Sequence, residues 1–211
     1  MTNDLQTKYH VMLDIETLGT RPGCAVVSIG AAFFTPEGVE VHKVFHELVD
    51  VASCIGVGLH MDAATIAWWT KQNTVVCREL FSPPRVPLAS ACRQFSEWAL
   101  SYAYNEPLDP EDVVVWSNGA NFDAPILHAA FVAAGVEWPF KFYNELCYRT
   151  LRRMVPPEVL VYVTHPNGEQ LNLFSRLDEL RSLPEHCSLG DAVRQADDCY
   201  KLMSYALTLG D

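Results

Sequence analysis

A chain of 211 residues, 49% of them hydrophobic, has room for one domain with a full core and is too apolar to be a disordered segment. A formal charge of −11 and a pI near 5.0 argue against tight binding to a long nucleic-acid duplex, which is gripped mainly through Lys and Arg. The seven cysteines are odd in number and form no Cys-x-x-Cys pair, which argues against a disulfide framework and a zinc knuckle and points to a reduced, cytoplasmic setting. In chain order, residues 1–10 do not resemble a secretion signal, and no later apolar stretch is long enough to span a bilayer, so no membrane association is expected. Residues 9–13, 25–34 and 39–48 read as three strands of an antiparallel meander, with turn residues at Arg21-Pro22-Gly23 and Thr35-Pro36-Glu37-Gly38. Residues 62–72 and 88–102 read as helices, the second with apolar residues at Leu88, Ala91, Phe95, Trp98 and Ala99. A valine-rich strand at 112–116 leads into a helix at about 124–134, with Pro125 in its first turn and Gly135 at its end. Residues 155–172 read as irregular, with hairpin chemistry at Pro166-Asn167-Gly168, and 189–207 as a long final helix. Repeats, linkers and low-complexity tracts are absent, so residues 1–211 read as a single domain with a core at about 9–207.

Three settings carry the chemistry. The first strand ends in Asp14-Ile15-Glu16, and residues two apart in a strand project from one side, so both carboxylates can hold one ion. Hard oxygen ligands of this kind suit Mg²⁺ or Mn²⁺, whereas zinc draws more of its ligands from histidine and cysteine. The second setting is Asn121-Phe122-Asp123, and the third is His186-Cys187-Ser188-Leu189-Gly190-Asp191. Each has a plainer meaning in isolation. Asp14 and Glu16 alone are a solvated strand end, Asp123 alone is the N-cap of the helix that follows, and His186 alone is a surface loop histidine. Asp198, seven residues beyond Asp191, returns near the same helical face and competes with it for the third setting.

Taken together, the order Asp14-x-Glu16, Asp123, and His186 followed five residues later by Asp191 resembles the DEDD exonuclease superfamily in its histidine subclass. The resemblance runs from about Tyr9 to Leu207 and favours Asp191 over Asp198. Within the superfamily the chain is most similar to the group of phage exonuclease A, the mycobacterial-type 3'-to-5' exoribonuclease and exonuclease VIII, through Ser28-Ile29-Gly30-Ala31, Trp68-Trp69 with Gln72, and Arg149-Thr150. The resemblance implies an α/β, ribonuclease H-like fold, a mixed five-stranded sheet flanked by helices. It implies a 3'-to-5' exonuclease that frees 5'-mononucleotides from single-stranded DNA or RNA with a free 3' end, in a bacterial cell or phage-infected host. Two Mg²⁺ or Mn²⁺ ions, about 3.5 to 4 Å apart, are expected to stabilise the attacking and leaving oxygens. The resemblance places Asp14 between both ions and Glu16 and Asp191 on the ion that carries the water. Asp123 would support the site, with His186 as general base. Histidine suits that task because its ordinary pKa is about 6.5.

Substrate contacts are expected from Thr17 and Leu18 beside the metal strand, from Phe122, and from Arg149 on a phosphate. Consecutive helical residues point about 100° apart, so at most one of Trp68 and Trp69 faces a base; Trp69 is taken as that residue, with Gln72 one turn on. Arg152 and Arg153 read as solvated charge. Relatives in this group are often dimers, and the apolar faces permit a homodimer without marking an interface. The rival class is a catalytically silent nucleic-acid-binding or partner-recruiting module on the same fold, against which stands the presence of all five core residues.

Overall fold

The computed structural model describes residues 8–101, 107–164 and 175–208. Five strands, β1 (Tyr9–Thr17), β2 (Val26–Thr35), β3 (Gly38–Leu48), β4 (Val113–Ser117) and β5 (Glu145–Cys147), form one sheet in the order β3-β2-β1-β4-β5. β1 to β3 are an antiparallel meander, and β4 and β5 add parallel to β1. Central β1 is buried on both faces, which is why it reads as a nearly unbroken apolar run.

Helices cover both faces. In chain order they are α1 (Val51–Gly56), α2 (Ala63–Trp69), α3 (Thr74–Phe81), α4 (Leu88–Ala99), α5 (Asp123–Ala134), α6 (Tyr148–Met154), α7 (Pro157–Thr164), α8 (Arg176–Arg181) and α9 (Ser188–Thr208). Val11, Leu13 and Ile15 of β1 join a core with Phe95 of α4 and Leu127 and Phe131 of α5. Met12, on the other face, packs with Ala32, Phe34 and Trp116 against Val193, Ala196 and Leu202 of α9. The strand's alternation therefore sends Asp14 and Glu16 toward α9, on the side of Met12. No described helix is long and apolar enough to cross a membrane.

Several expectations need correction. Residues 157–164 are helical rather than irregular, with Pro157 at the first position, where its missing N–H costs nothing. The turn expected at Pro166-Asn167-Gly168 lies outside the described residues, as does Tyr102 at the end of the second expected helix. That helix stops at Ala99. The helix expected over 62–72 is only α2, capped at Thr70, beyond which the Lys71 and Gln72 amides donate to the carbonyls of Trp68 and Trp69 in a tight turn. Asp123 opens α5 as its first residue, with Phe122 at the cap position.

Candidate active site

The C-terminal end of β1, the start of α5 and the start of α9 meet at a cleft of about 770 Å³. Asp14, Glu16, Asp123, His186 and Asp191, distant in sequence, all line it. The Asp123 carboxylate accepts the Ile15 amide at 3.3 Å, which fixes α5 against β1 between the two carboxylates of that strand. On the opposite side the α9 N-terminus lies directly on β2. The Ser28 and Ser188 hydroxyls are hydrogen bonded at 2.8 Å, and a Cβ at Gly30 would stand 2.2 Å from the Ser188 carbonyl carbon. Only glycine permits that approach, so the Ser28-Ile29-Gly30-Ala31 stretch is the seat of the helix that carries Asp191.

His186 sits in the loop before α9 with φ +63, a conformation that residues other than glycine rarely adopt. The loop is held from both ends. The His186 amide donates to Asp191 Oδ2 at 2.9 Å, and Arg194 donates to Asp191 Oδ1 at 2.6 Å while binding the carbonyls of Arg181, Leu183 and Pro184. One ligand atom each from Glu16, His186 and Asp191 lies within 4.8 Å of the others. Asp14 and Asp123 stand outside that group. Asp198, the competing acid, accepts the Tyr148 hydroxyl at 3.0 Å away from the cleft.

The electrostatics are those of acids short of a counter-charge. Burial, then the nearby carboxylates of Asp123, Glu16 and Asp191, raises Asp14 well above the usual carboxylate range. Burial and repulsion from Asp191 and Asp123 lift Glu16 to about 9. Asp123 rises to about 6 through burial, moderated by the Ile15 amide and, more weakly, by the Arg149 guanidinium. Gln195, one helical turn beyond Asp191, donates to Asp14 Oδ1 at 2.8 Å, and its own buried Oε1 has no hydrogen-bond partner among the described residues. Three carboxylates raised in this way, the Asp191 carboxylate beside them and an orphaned amide oxygen form an oxygen donor set that fits hard divalent cations.

Around the acids, Thr17, Trp69, Phe122 and Arg149 also line the cleft, whereas Leu18 and Gln72 do not. Leu18 is 5% exposed, in the core beneath, and Gln72 turns back to donate to the Trp68 carbonyl at 3.2 Å. Both face a separate apolar pocket behind Trp69. Of the two tryptophans, Trp69 is 4% exposed, with its indole N–H donating to the Thr17 carbonyl at 2.9 Å. Trp68 is 42% exposed and stands edge-to-face with the His186 ring at 5.0 Å. The tryptophan surface open to a substrate is therefore Trp68, because the Thr17 contact fixes which way α2 rolls. Arg149 donates to the side-chain and backbone oxygens of Asn118, and its guanidinium covers Gly119, whose φ of +142 and lack of a Cβ make the contact fit. Arg152 lies over the Tyr148 ring instead, and neither it nor Arg153 lines the cleft. Sequence reasoning missed Gln195, Asn118 and Asp62. For Gln195 a signal existed, its position four residues after Asp191 on one helical face.

Three comparisons bear on this arrangement. A search of curated protein sequences finds no match. Among solved structures, the chain superposes on cell-death related nuclease 4 (CRN-4) with a TM-score of 0.55 at 11% identity, over 97% of this chain and 65% of that one. It superposes on the nuclease domain of 3'hExo, a DEDDh family member bound to rAMP, with a TM-score of 0.53 at 10% identity, over 97% and 94%. A zinc-bound E. coli ExoI–ssDNA complex gives 0.55 at 14% identity, over 97% and 41%. The chain thus spans under two thirds of the first and third of these, and at such identities the likeness establishes the fold, a ribonuclease H-like α/β core. The family model of the 3'-5' exoribonuclease Rv2179c-like domain matches residues 9–202, nearly all of the core. The chain belongs to that family, the Rv2179c-like 3'-5' exoribonuclease domains, and it has the fold of the DEDDh nuclease domain on which it superposes.

Proposed function

We propose that this chain removes nucleotides one at a time from the 3' end of single-stranded RNA, with two divalent ions, Mg²⁺ or Mn²⁺, held by its four acids and His186 as general base. The observation that carries the reading is the convergence of Asp14, Glu16, Asp123, His186 and Asp191 on one cleft from three separate parts of the chain. The choice of RNA rests on the family description.

Glu16 and Asp191, whose carboxylates lie within 4.8 Å of a His186 ring nitrogen, would hold the ion nearest the attacking water, with Asp14 shared between the two ions and Asp123 supporting the site. When bound, such ions acidify water and neutralise charge on the attacking and leaving oxygens. The protein's own part is positional. Arg194 and the His186 amide hold both oxygens of Asp191, so its carboxylate cannot swing away. A ring nitrogen of His186 lies within 4.8 Å of carboxylate oxygens from Glu16 and Asp191, which supports the reading that it takes the proton of a water held there. Water oxygen then bonds to phosphorus, the bond from phosphorus to the 3' oxygen of the preceding nucleotide breaks, and that oxygen leaves as the new 3' hydroxyl after protonation. The product is a nucleoside 5'-monophosphate. Arg149, Trp68 and Phe122 line the cleft, and in this reading Arg149 would hold a phosphate and the two rings would meet the terminal bases.

The test compares the protein with Asp14→Ala on 3'-labelled and 5'-labelled RNA and DNA strands in Mg²⁺, Mn²⁺ or EDTA. The expected result is metal-dependent release of mononucleotides from the 3' end of RNA, lost in the variant. Equal rates on DNA would remove the ribose preference, and no cleavage under either metal would leave a silent binding module.

A further inference from the structure

We propose that the cleft engages only the last one or two nucleotides of its substrate, by ring contact and not along a track of phosphates, so that short oligonucleotides are bound as well as long strands. This rests on the exonuclease reading above and narrows its substrate class.

The basic residues decide the matter. All fifteen lysines and arginines fall within the described segments, and of these Arg149 alone lines the cleft. It faces five acids there, Asp14, Glu16, Asp62, Asp123 and Asp191. Much of the remaining positive charge is engaged elsewhere in the fold. Arg181 and Lys201 both bind the buried Asp197, at 3.1 and 2.9 Å, and Arg194 is bound to Asp191 and the loop carbonyls. Arg85 donates to the Val49 carbonyl, and Arg176 pairs with Glu179. A groove that follows a single strand needs cations at successive phosphates, usually interleaved with aromatic rings. Here the cleft offers the rings of Trp68 and Phe122 and a single cation.

The shape agrees with the charge. A volume of about 770 Å³ falls in the range of small-molecule sites, about 300 to 1,000 Å³. Divalent ions would offset the acids locally and serve the scissile phosphate. Beyond them the net charge of −11 acts on every further phosphate, so added length brings repulsion without a compensating contact.

For single strands each phosphate contact contributes a slope of about −0.7 in log affinity against log salt. One contact therefore predicts a weakening of about 2.5-fold between 50 and 200 mM salt, whereas four contacts would give about 50-fold. The experiment measures kcat and KM in Mn²⁺ or Mg²⁺ for single strands from a dinucleotide to a twentymer at both salt concentrations. The expected result is a KM constant within about threefold across lengths and a salt effect near that of one contact. A KM that falls tenfold or more with length, or a salt effect near that of four contacts, overturns the proposal while leaving the exonuclease reading intact. Absence of hydrolysis at every length removes that reading and the proposal with it. In the same assay Arg149→Ala should raise KM equally for all lengths. Arg153→Ala, one turn further along α6, should leave every KM unchanged, and a rise confined to the longer strands would reveal a phosphate track and overturn the proposal.

Discussion

Trp68 and Trp69 are adjacent in sequence and share the cleft, yet their surroundings assign them different work. Trp69 is nearly buried, its N–H is satisfied by the Thr17 carbonyl, and its ring meets Phe81 behind it. Trp68 lines the cleft, is 42% exposed and stands edge-to-face with the His186 ring. Replacing Trp69 with Ala should cost about 3–5 kcal/mol of stability, the range for deleting a buried aromatic. Replacing Trp68 should leave the melting temperature within a few degrees and raise KM instead. Stacking contributes about 1–3 kcal/mol per base, so an increase of roughly 5- to 150-fold is expected for Trp68→Ala, with Trp68→Phe recovering most of it. Thermal melting alongside steady-state kinetics separates the two phenotypes; a Trp68→Ala protein that binds substrate normally would exclude the ring from the terminal-base site. The sequence showed that the two side chains diverge by about 100°, because that follows from helix geometry. It could not show which one turned inward, because a hydrogen bond from residue 69 to residue 17 settles that.

At the scale of elements, the site depends on how closely α9 lies on the sheet. Gly30 of β2 and Ser188 of α9 touch backbone to backbone, and the Ser28–Ser188 hydrogen bond locks the register of that contact. A methyl group at residue 30 has no flexible neighbour to displace, so Gly30→Ala must lift the helix N-terminus and with it Asp191 and His186. The expected cost is about 1–3 kcal/mol of stability, as for overpacking. Activity should fall by about a hundredfold, as when catalytic groups move by an ångström. Folded Gly30→Ala protein with undiminished kcat would show that α9 can shift without disturbing the site. β1 to β3, α5 and α9 were legible because they are long or bounded by strong turn residues such as Pro36-Glu37-Gly38 and Gly135. The short α1, α3, α6 and α8 and the three-residue β5 were not, since such segments are stable only through what they pack on. The five core residues were legible through the resemblance of their order and spacing to the DEDD superfamily, and Gln195 carried a signal in its helical spacing from Asp191, whereas Asn118 joins the cleft only through the fold.

For the whole molecule, concentrating acids in one cleft ties stability to pH and to cations. Glu16 has a folded-state pKa of about 9 against an ordinary 4.5, so the folded chain retains a proton that the unfolded chain gives up. The stability gained is complete below pH 4.5 and is lost as the pH rises toward 9, the direction expected when the native state binds more protons. Asp123, raised to about 6, acts the same way over a lower range. The melting temperature in EDTA should therefore decline from acid to alkaline pH, and Glu16→Gln should flatten that decline while abolishing activity. Divalent ions should act in the opposite sense. Mn²⁺ at a hundred times its Kd would stabilise the fold by about 2.7 kcal/mol, a rise of roughly 5–10 °C for a domain of this size. That rise should shrink as the pH falls, because protons on Glu16 and Asp123 compete with the metal. Asp14→Ala should remove most of it, and sodium chloride at matched ionic strength should not reproduce it. A melting temperature indifferent to Mn²⁺ and Mg²⁺ at alkaline pH would mean that the acids hold no ion. The raised carboxylates would then be a cost of the fold without a function to explain it.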